Sequence, residues 1–163
     1  MSFANLRRAP QPAEHYGRLQ DAMASVAESS FFAFTDPCDA ATFREMAAPL
    51  SPWLEGGVAF DGTFSGRMTC TVPESLAREL FASFIGLEPG EAMAEAPLFD
   101  LMGEFANMVG GAWLTHVSER RHFDLLPPTV VRVAEAPSYQ DPDGLPLLVN
   151  GVPVLIQVTF NGR

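Results

Sequence analysis

Residues 97–118 read PLFDLMGEFANMVGGAWLTHVS, and the spacing in this run decides the fold. Pro97 suits the first turn of a helix, where its missing N–H would have had no partner. A helix from Pro97 to about Ser118 is predicted, the longest element of the chain. Placed at 100° per residue with Asp100 at zero, Leu101, Met102, Phe105, Met108, Val109, Ala112 and Trp113 fill one broad arc, the expected core face. Asp100, Gly103, Glu104, Asn107, Gly110 and Gly111 fall on the other side. A long helix with one apolar face must be laid against another layer, and the flanking sequence says which kind.

Hairpins lie on both sides of it. Downstream, Phe123 to Val133 reads as a strand beginning around Pro127 and Pro128, which confines those prolines to its start or to an edge. Leu145–Val149 and Val152–Phe160 flank Asn150-Gly151, the strongest two-residue turn signal. Pro146 and Pro153 place part of that ladder at an edge. Upstream, Val58 and Phe60 alternate before Asp61-Gly62, and Met68, Cys70 and Val72 alternate after it. That second strand runs into Pro73, which opens a helix with the stripe Leu76, Leu80, Phe81 and Phe84, ended by Gly86 and Pro89-Gly90. Nearer the start, Leu19, Met23, Val26 and Ala27 mark a helix from Tyr16 to about Phe32. Asp36-Pro37 breaks it, and Asp39 is placed to cap a short helix carrying Phe43 and Met46. Gly56-Gly57 reads as a strand-entry turn. Residues 1–12 are expected to be a flexible tail and 13–163 a single domain. About four helices and five or six strands, joined mostly by hairpins, give an α+β fold. The expected architecture has two layers, helices packed on one face of a largely antiparallel sheet.

Composition narrows the partners. The net charge of −10, from 20 acidic and 10 basic side chains, repels a phosphate backbone and an anionic bilayer surface. Neither nucleic acid nor membrane is therefore an expected partner, whereas a protein with a basic rim fits. No stretch approaches the roughly 20 apolar residues of a membrane span, and the first residues lack the apolar core of a signal peptide. Two cysteines, Cys38 and Cys70, with no CxxC and no nearby histidine pair, suggest neither a disulfide scaffold nor a metal site. Cys70 reads as a buried core thiol. The expected compartment is the cytoplasm.

The polar side of the 97–118 helix is unusual. Each glycine inside a helix costs about 1 kcal/mol against alanine, and three stand between positions 103 and 111. Close packing of another element is one reason to accept that loss. The other is a clearing around Asn107, letting a partner approach the helix without meeting side chains. Asp100 and Glu104 are like charges one turn apart, which a partner's cation would relieve. Taken alone, these residues favour an ordinary solvated face.

The run DLMGEFANMVGG resembles the signature helix of the CheC, CheX and FliY phosphatases. These share Asp or Ser, then Glu four residues on, then Asn three further, matched here by Asp100, Glu104 and Asn107. Gly103, Ala106 and Gly110 keep similar spacing, and a Pro-Thr-Val strand opens at Pro128, Thr129 and Val130. Upstream, FSGRMTCTVPESLARELFASFIG is similar to the family's strand that passes directly into a helix. A single copy of the motif is CheX-like rather than CheC-like.

The resemblance implies a CheC-like fold and a hydrolase acting on a phosphorylated CheY-like response regulator. Asn107 would orient the attacking water and Glu104 would pair with a lysine of the regulator. Asp100 would support the first turn of the helix, while Gly103, Gly110 and Gly111 would face the partner. The aspartyl phosphate and its Mg²⁺ would belong to the partner, with no cofactor of the protein's own. A homodimer through sheet edges is also implied. The alternative is a non-catalytic regulator-binding or dimerisation module. Among other candidates, Trp53 and Trp113 read as core, His116 as a structural histidine near the core arc, and Glu91, Glu95 and Asp100 as a solvated acidic stretch.

Overall fold

The computed structural model describes residues 12–88, 90–117, 122–139 and 144–161. Its elements run α1 (Pro12–Phe31), β1 (Thr35–Pro37), α2 (Ala40–Ala47), β2 (Trp53–Gly62), β3 (Gly66–Pro73), α3 (Glu74–Phe84), α4 (Glu95–Val117), β4 (Phe123–Leu125), β5 (Thr129–Val133), β6 (Gly144–Val149) and β7 (Val152–Phe160). Residues 1–11 of the expected tail lie outside the described residues, and Pro12 opens α1 instead.

All strand pairs are antiparallel, in the order β1-β6-β7-β3-β2, with β4 and β5 sharing the far side of β2. The β6–β7 turn is the one the sequence demands. Asn150 (φ 49°) and Gly151 (φ 77°) both take the left-handed conformation that a two-residue hairpin needs. The Asn150 side chain also accepts from the Phe34 N–H at 2.9 Å, tying the turn to β1. Pro146 lies just beyond the rungs of β1, and Pro153 just beyond the rungs of β3. Each proline therefore sits where the ladder to a neighbouring strand has ended and its missing donor breaks no rung.

Strand alternation divides the apolar residues between two faces. Leu54, Val58, Phe60, Met68, Cys70, Val72, Val154 and Ile156 face the main core, shared with α1, α3 and α4. Phe31, Phe81 and Phe105, one from each of these helices, stack with ring centroids 5.4–6.0 Å apart. Burying such a ring fully is worth roughly 1.5–3 kcal/mol. Cys70 is fully buried here, which pushes its thiol pKa up to about 12. Trp53 and Leu155 point the other way and form a smaller cluster with Phe43 and Ala47 of α2. The short helix α2 thus covers part of the opposite face, an addition to the expected two layers. Asp39 caps it as predicted, accepting from the Thr42 N–H at 2.7 Å.

Three local readings change. The expected single strand over Phe123–Val133 is two short strands. The Leu126-Pro127-Pro128 step interrupts it, although both pieces pair with β2. Gly56 and Gly57 are not a strand-entry turn but lie inside β2, paired with Cys70 and Thr69. Strand β1, three residues with no apolar periodicity, was not foreseen.

Candidate functional site

Helix α4 crosses the sheet with one flank pressed onto it, and that seat is made of small residues. A Cβ added at Gly110 would stand 2.9 Å from Val58 Cγ1 and 3.0 Å from Met68 Cε. At Gly103 it would meet Pro128 Cγ at 3.2 Å. From the sheet side, a Cβ at Gly56 would meet the Met102 carbonyl oxygen at 3.0 Å and Ala106 Cβ at 3.1 Å. Gly103, Ala106 and Gly110 of α4 therefore close onto Gly56 of β2 and the start of β5. The helix backbone lies nearer the sheet than larger side chains would allow.

This corrects the reading of the glycines. Gly103 and Gly110 are buried against the sheet, not standing in an open clearing, and at half-buried Gly111 an added Cβ would meet Leu125 Cδ1 at 3.8 Å. On the helical wheel Gly103 and Gly110 lie 60–80° from Asp100, at the margin between the two faces. The sheet covers that margin. Close packing is what offsets their helix-breaking tendency, and the close neighbour is a sheet.

What α4 leaves uncovered is a narrow strip: Asp100 and Glu104 exposed, Asn107 half-buried, then Gly111. Glu104 and Asn107 are three apart, so their Cβ atoms are neighbours roughly 5–6 Å apart. Among the described residues, none of Asp100, Glu104 and Asn107 enters a side-chain hydrogen bond or an ion pair. Beside the strip, a shallow cleft of about 360 Å³ lies between α4 and the entry to β5, lined by Phe99, Asp100, Gly103, Glu104, Pro128 and Val130. The structure thus brings Asp100, Gly103 and Glu104 around one cleft and places Asn107 a turn beyond Gly103. Gly110 is excluded from this surface. The sequence does not single out Phe99 as a wall residue; an aromatic residue directly before Asp100 is the only local signal it carries.

Both ends of α4 are held. At the carboxyl end, Arg18 of α1 donates to the His116 carbonyl oxygen at 2.7 Å, where a cation meets the negative pole of the helix. His116 itself is exposed rather than near the core. At the amino end, Arg132 of β5 donates to Glu74 Oε2 at 3.1 Å and Oε1 at 2.7 Å, and to Glu95 Oε1 at 2.5 Å. Glu95 is therefore ion-paired and not simply solvated. Arg78 adds a second cation to Glu74 at 3.0 Å. The Arg132 guanidinium, ahead of burial and of Arg78, sets the direction for the Glu74 carboxyl, held below the usual carboxylate range.

Among the described residues, no cluster of three or more His, Cys, Asp or Glu side chains is arranged to hold a metal ion. No helix there is long and apolar enough to cross a membrane.

Solved structures with this fold include the chemotaxis protein CheX from Vibrio vulnificus. It is 19% identical, with a TM-score of 0.71 over 94% of this chain and 100% of that one. A CheX from Desulfovibrio desulfuricans is 15% identical, with a TM-score of 0.69 over 91% and 99% of the two chains. A chain of the CheX–CheY–BeF3–Mg2+ complex from Borrelia burgdorferi is 14% identical, with a TM-score of 0.61 over 91% and 98%. No curated protein matches. Residues 55–149 match the family described as Chemotaxis phosphatase CheX, a span running from Glu55 in β2 to the end of β6 and holding the whole of α4. The chain belongs to the CheX family of chemotaxis phosphatases.

Proposed function

We propose that this protein hydrolyses the aspartyl phosphate of a phosphorylated CheY-like response regulator, using Asn107 and Glu104. The observation that carries the proposal is the uncommitted state of these two side chains on the uncovered strip of a helix whose other flank is tightly seated. A side chain with no hydrogen-bond or ion-pair partner among the described residues, on a helix seated closely against the sheet, is suited to enter another protein's site.

The Asn107 amide can accept a hydrogen bond from a water while donating another, and it carries no charge to repel a phosphoryl group. Held in line with phosphorus, that water forms the new P–O bond as the bond to the regulator's aspartate breaks. Inorganic phosphate leaves, and the aspartate regains its free carboxylate. The rate gain lies in positioning, because phosphoryl transfer asks little covalent chemistry of the protein. Mg²⁺ and the phosphoryl group are the regulator's. Glu104 pairs with a lysine of the regulator and fixes the register, with Asp100 adding negative charge beside the cleft. The substrate places the reaction in the cytoplasm. A homodimer would leave the strip on α4 free if formed through the β1 edge, the end of the sheet away from β5.

The test is release of phosphate from a phosphorylated cognate CheY-like regulator by the parent and by Asn107→Ala. Acceleration by the parent and a loss of about 10²–10³ in rate for the variant, with binding retained, is expected. Equal rates for the two proteins would remove Asn107 from the mechanism. Binding without any acceleration by the parent would leave a non-catalytic regulator-binding module.

A further inference from the structure

The cleft beside Glu104 has one wall that does not come from the motif. Phe99 stands at its amino end, and the Arg132 guanidinium lies over the Phe99 ring, 5.2 Å from its centroid. The same guanidinium is held by three carboxylate contacts. Two go to Glu74, in the first turn of α3, and one to Glu95, in the first turn of α4. Arg132 also shares a face of β5 with Val130, two residues earlier and itself part of the cleft lining. A single planar group therefore ties together the starts of two helices, a strand and the ring that walls the cleft.

The geometry leaves Arg132 little freedom. Two donors fork onto Glu74, a third reaches Glu95, and the plane is set by those contacts, so the face presented to Phe99 is set as well. Glu74 is buried and has Arg78 as its other partner, so its carboxylate stays charged and keeps Arg132 in place. Asp100 and Glu104 follow Phe99 by one and five residues on the same helix. Any rotation of the start of α4 moves the Phe99 wall relative to the seated Glu104.

We propose that Arg132 is a positioning residue for regulator docking: held by Glu74 and Glu95, it fixes Phe99, the amino-terminal wall of the cleft against which the partner settles. The proposal rests on the docking role given above to Asp100 and Glu104. It assigns Arg132 to binding of the regulator and not to the hydrolytic step, which falls to Asn107 farther along the helix.

The experiment measures kcat and KM with a regulator phosphorylated by acetyl phosphate, and affinity for the same regulator loaded with beryllofluoride. The proteins are the parent, Arg132→Met, Arg132→Lys, Phe99→Ala and the Phe99→Ala/Arg132→Met double variant. Arg132→Met is expected to raise KM and weaken binding about tenfold with kcat within about twofold. Lysine should restore only part of this, since it keeps the charge but not the fork or the plane. Because Arg132 acts through Phe99, the double variant should bind no more weakly than Phe99→Ala. A fall in kcat that follows the loss of folded protein, with KM unchanged, overturns the proposal; so do effects of the two substitutions that multiply. Should Arg132→Met fail to fold, Arg132→Lys carries the same KM-against-kcat comparison. A parent that fails to bind the loaded regulator overturns the docking role and this proposal together, whereas a parent that binds as well as Arg132→Met does overturns this proposal alone.

Discussion

The two flanks of α4 are made from neighbouring residues and obey opposite rules. On the seated flank, Gly103, Ala106 and Gly110 are small because the sheet leaves no room for more. On the uncovered flank, Asp100, Glu104 and Asn107 are polar and enter no side-chain hydrogen bond or ion pair among the described residues. Substitutions on the first flank should be read in stability, and those on the second in what the protein does to its partner. The contrast matters because Gly110 and Gly111 are adjacent in sequence yet fall on different sides of it.

Gly110→Val is the strongest attempt to break this division. Its Cβ alone would sit 2.9 Å from Val58, and a branched side chain adds to the overlap. A loss of about 3 kcal/mol is expected in urea unfolding, from overpacking that a seated helix cannot relieve. Unchanged stability would mean that α4 can lift off the sheet, and the idea of a rigid seat would fail. Next in size, Glu104→Lys should raise KM for the phosphorylated regulator about tenfold or more by placing like charge against the partner's cation. Its thermal midpoint should match that of the parent. A lowered midpoint with unaltered KM would assign Glu104 to the fold.

Gly111→Ala is the finer probe. Its added methyl meets only Leu125, at an ordinary contact distance of 3.8 Å, so helix propensity should dominate and raise stability by up to about 1 kcal/mol. If that variant folds better yet loses regulator binding, a partner-facing clearance survives at this one glycine. The smallest effect concerns the anchor at the start of the helix. Arg132 holds the Glu74 carboxyl low, so its contribution to stability is complete above the ordinary carboxylate pKa. It is lost as pH falls below about 4, through the lowered folded value. Glu74→Gln should flatten that part of the acid-unfolding curve, and an identical acid slope in the two proteins would refute the assignment.

Legibility followed the range of each interaction. The β6–β7 hairpin is written in two adjacent residues, Asn150 and Gly151, and the core face of α4 in a periodicity that any helix must obey. The strip Asp100, Glu104 and Asn107 was visible because it repeats within the same helix. A wheel, however, cannot tell which margin of a helix a sheet will cover, so it leaves Gly110 with the polar strip although the sheet covers it. Strand β1 has three residues and no apolar alternation, and it exists because the Asn150 turn and β6 offer it partners. The Pro127-Pro128 interruption was read as a strand start, since either placement spares the ladder a donor. Arg132 finds Glu74 and Glu95 at separations of 58 and 37 residues, and nothing local in the chain announces such a meeting.

The glycine seat also fixes an angular phase. With Gly103 and Gly110 docked, each residue between them has a set direction, and removing one would turn everything beyond it by about 100°. A one-residue deletion between Glu104 and Asn107 would keep both side chains in the protein while pointing them along different bearings. Substitution can therefore explore this surface one position at a time, but a change of length cannot. The residues that seat the helix are the ones that decide where the partner-facing residues point.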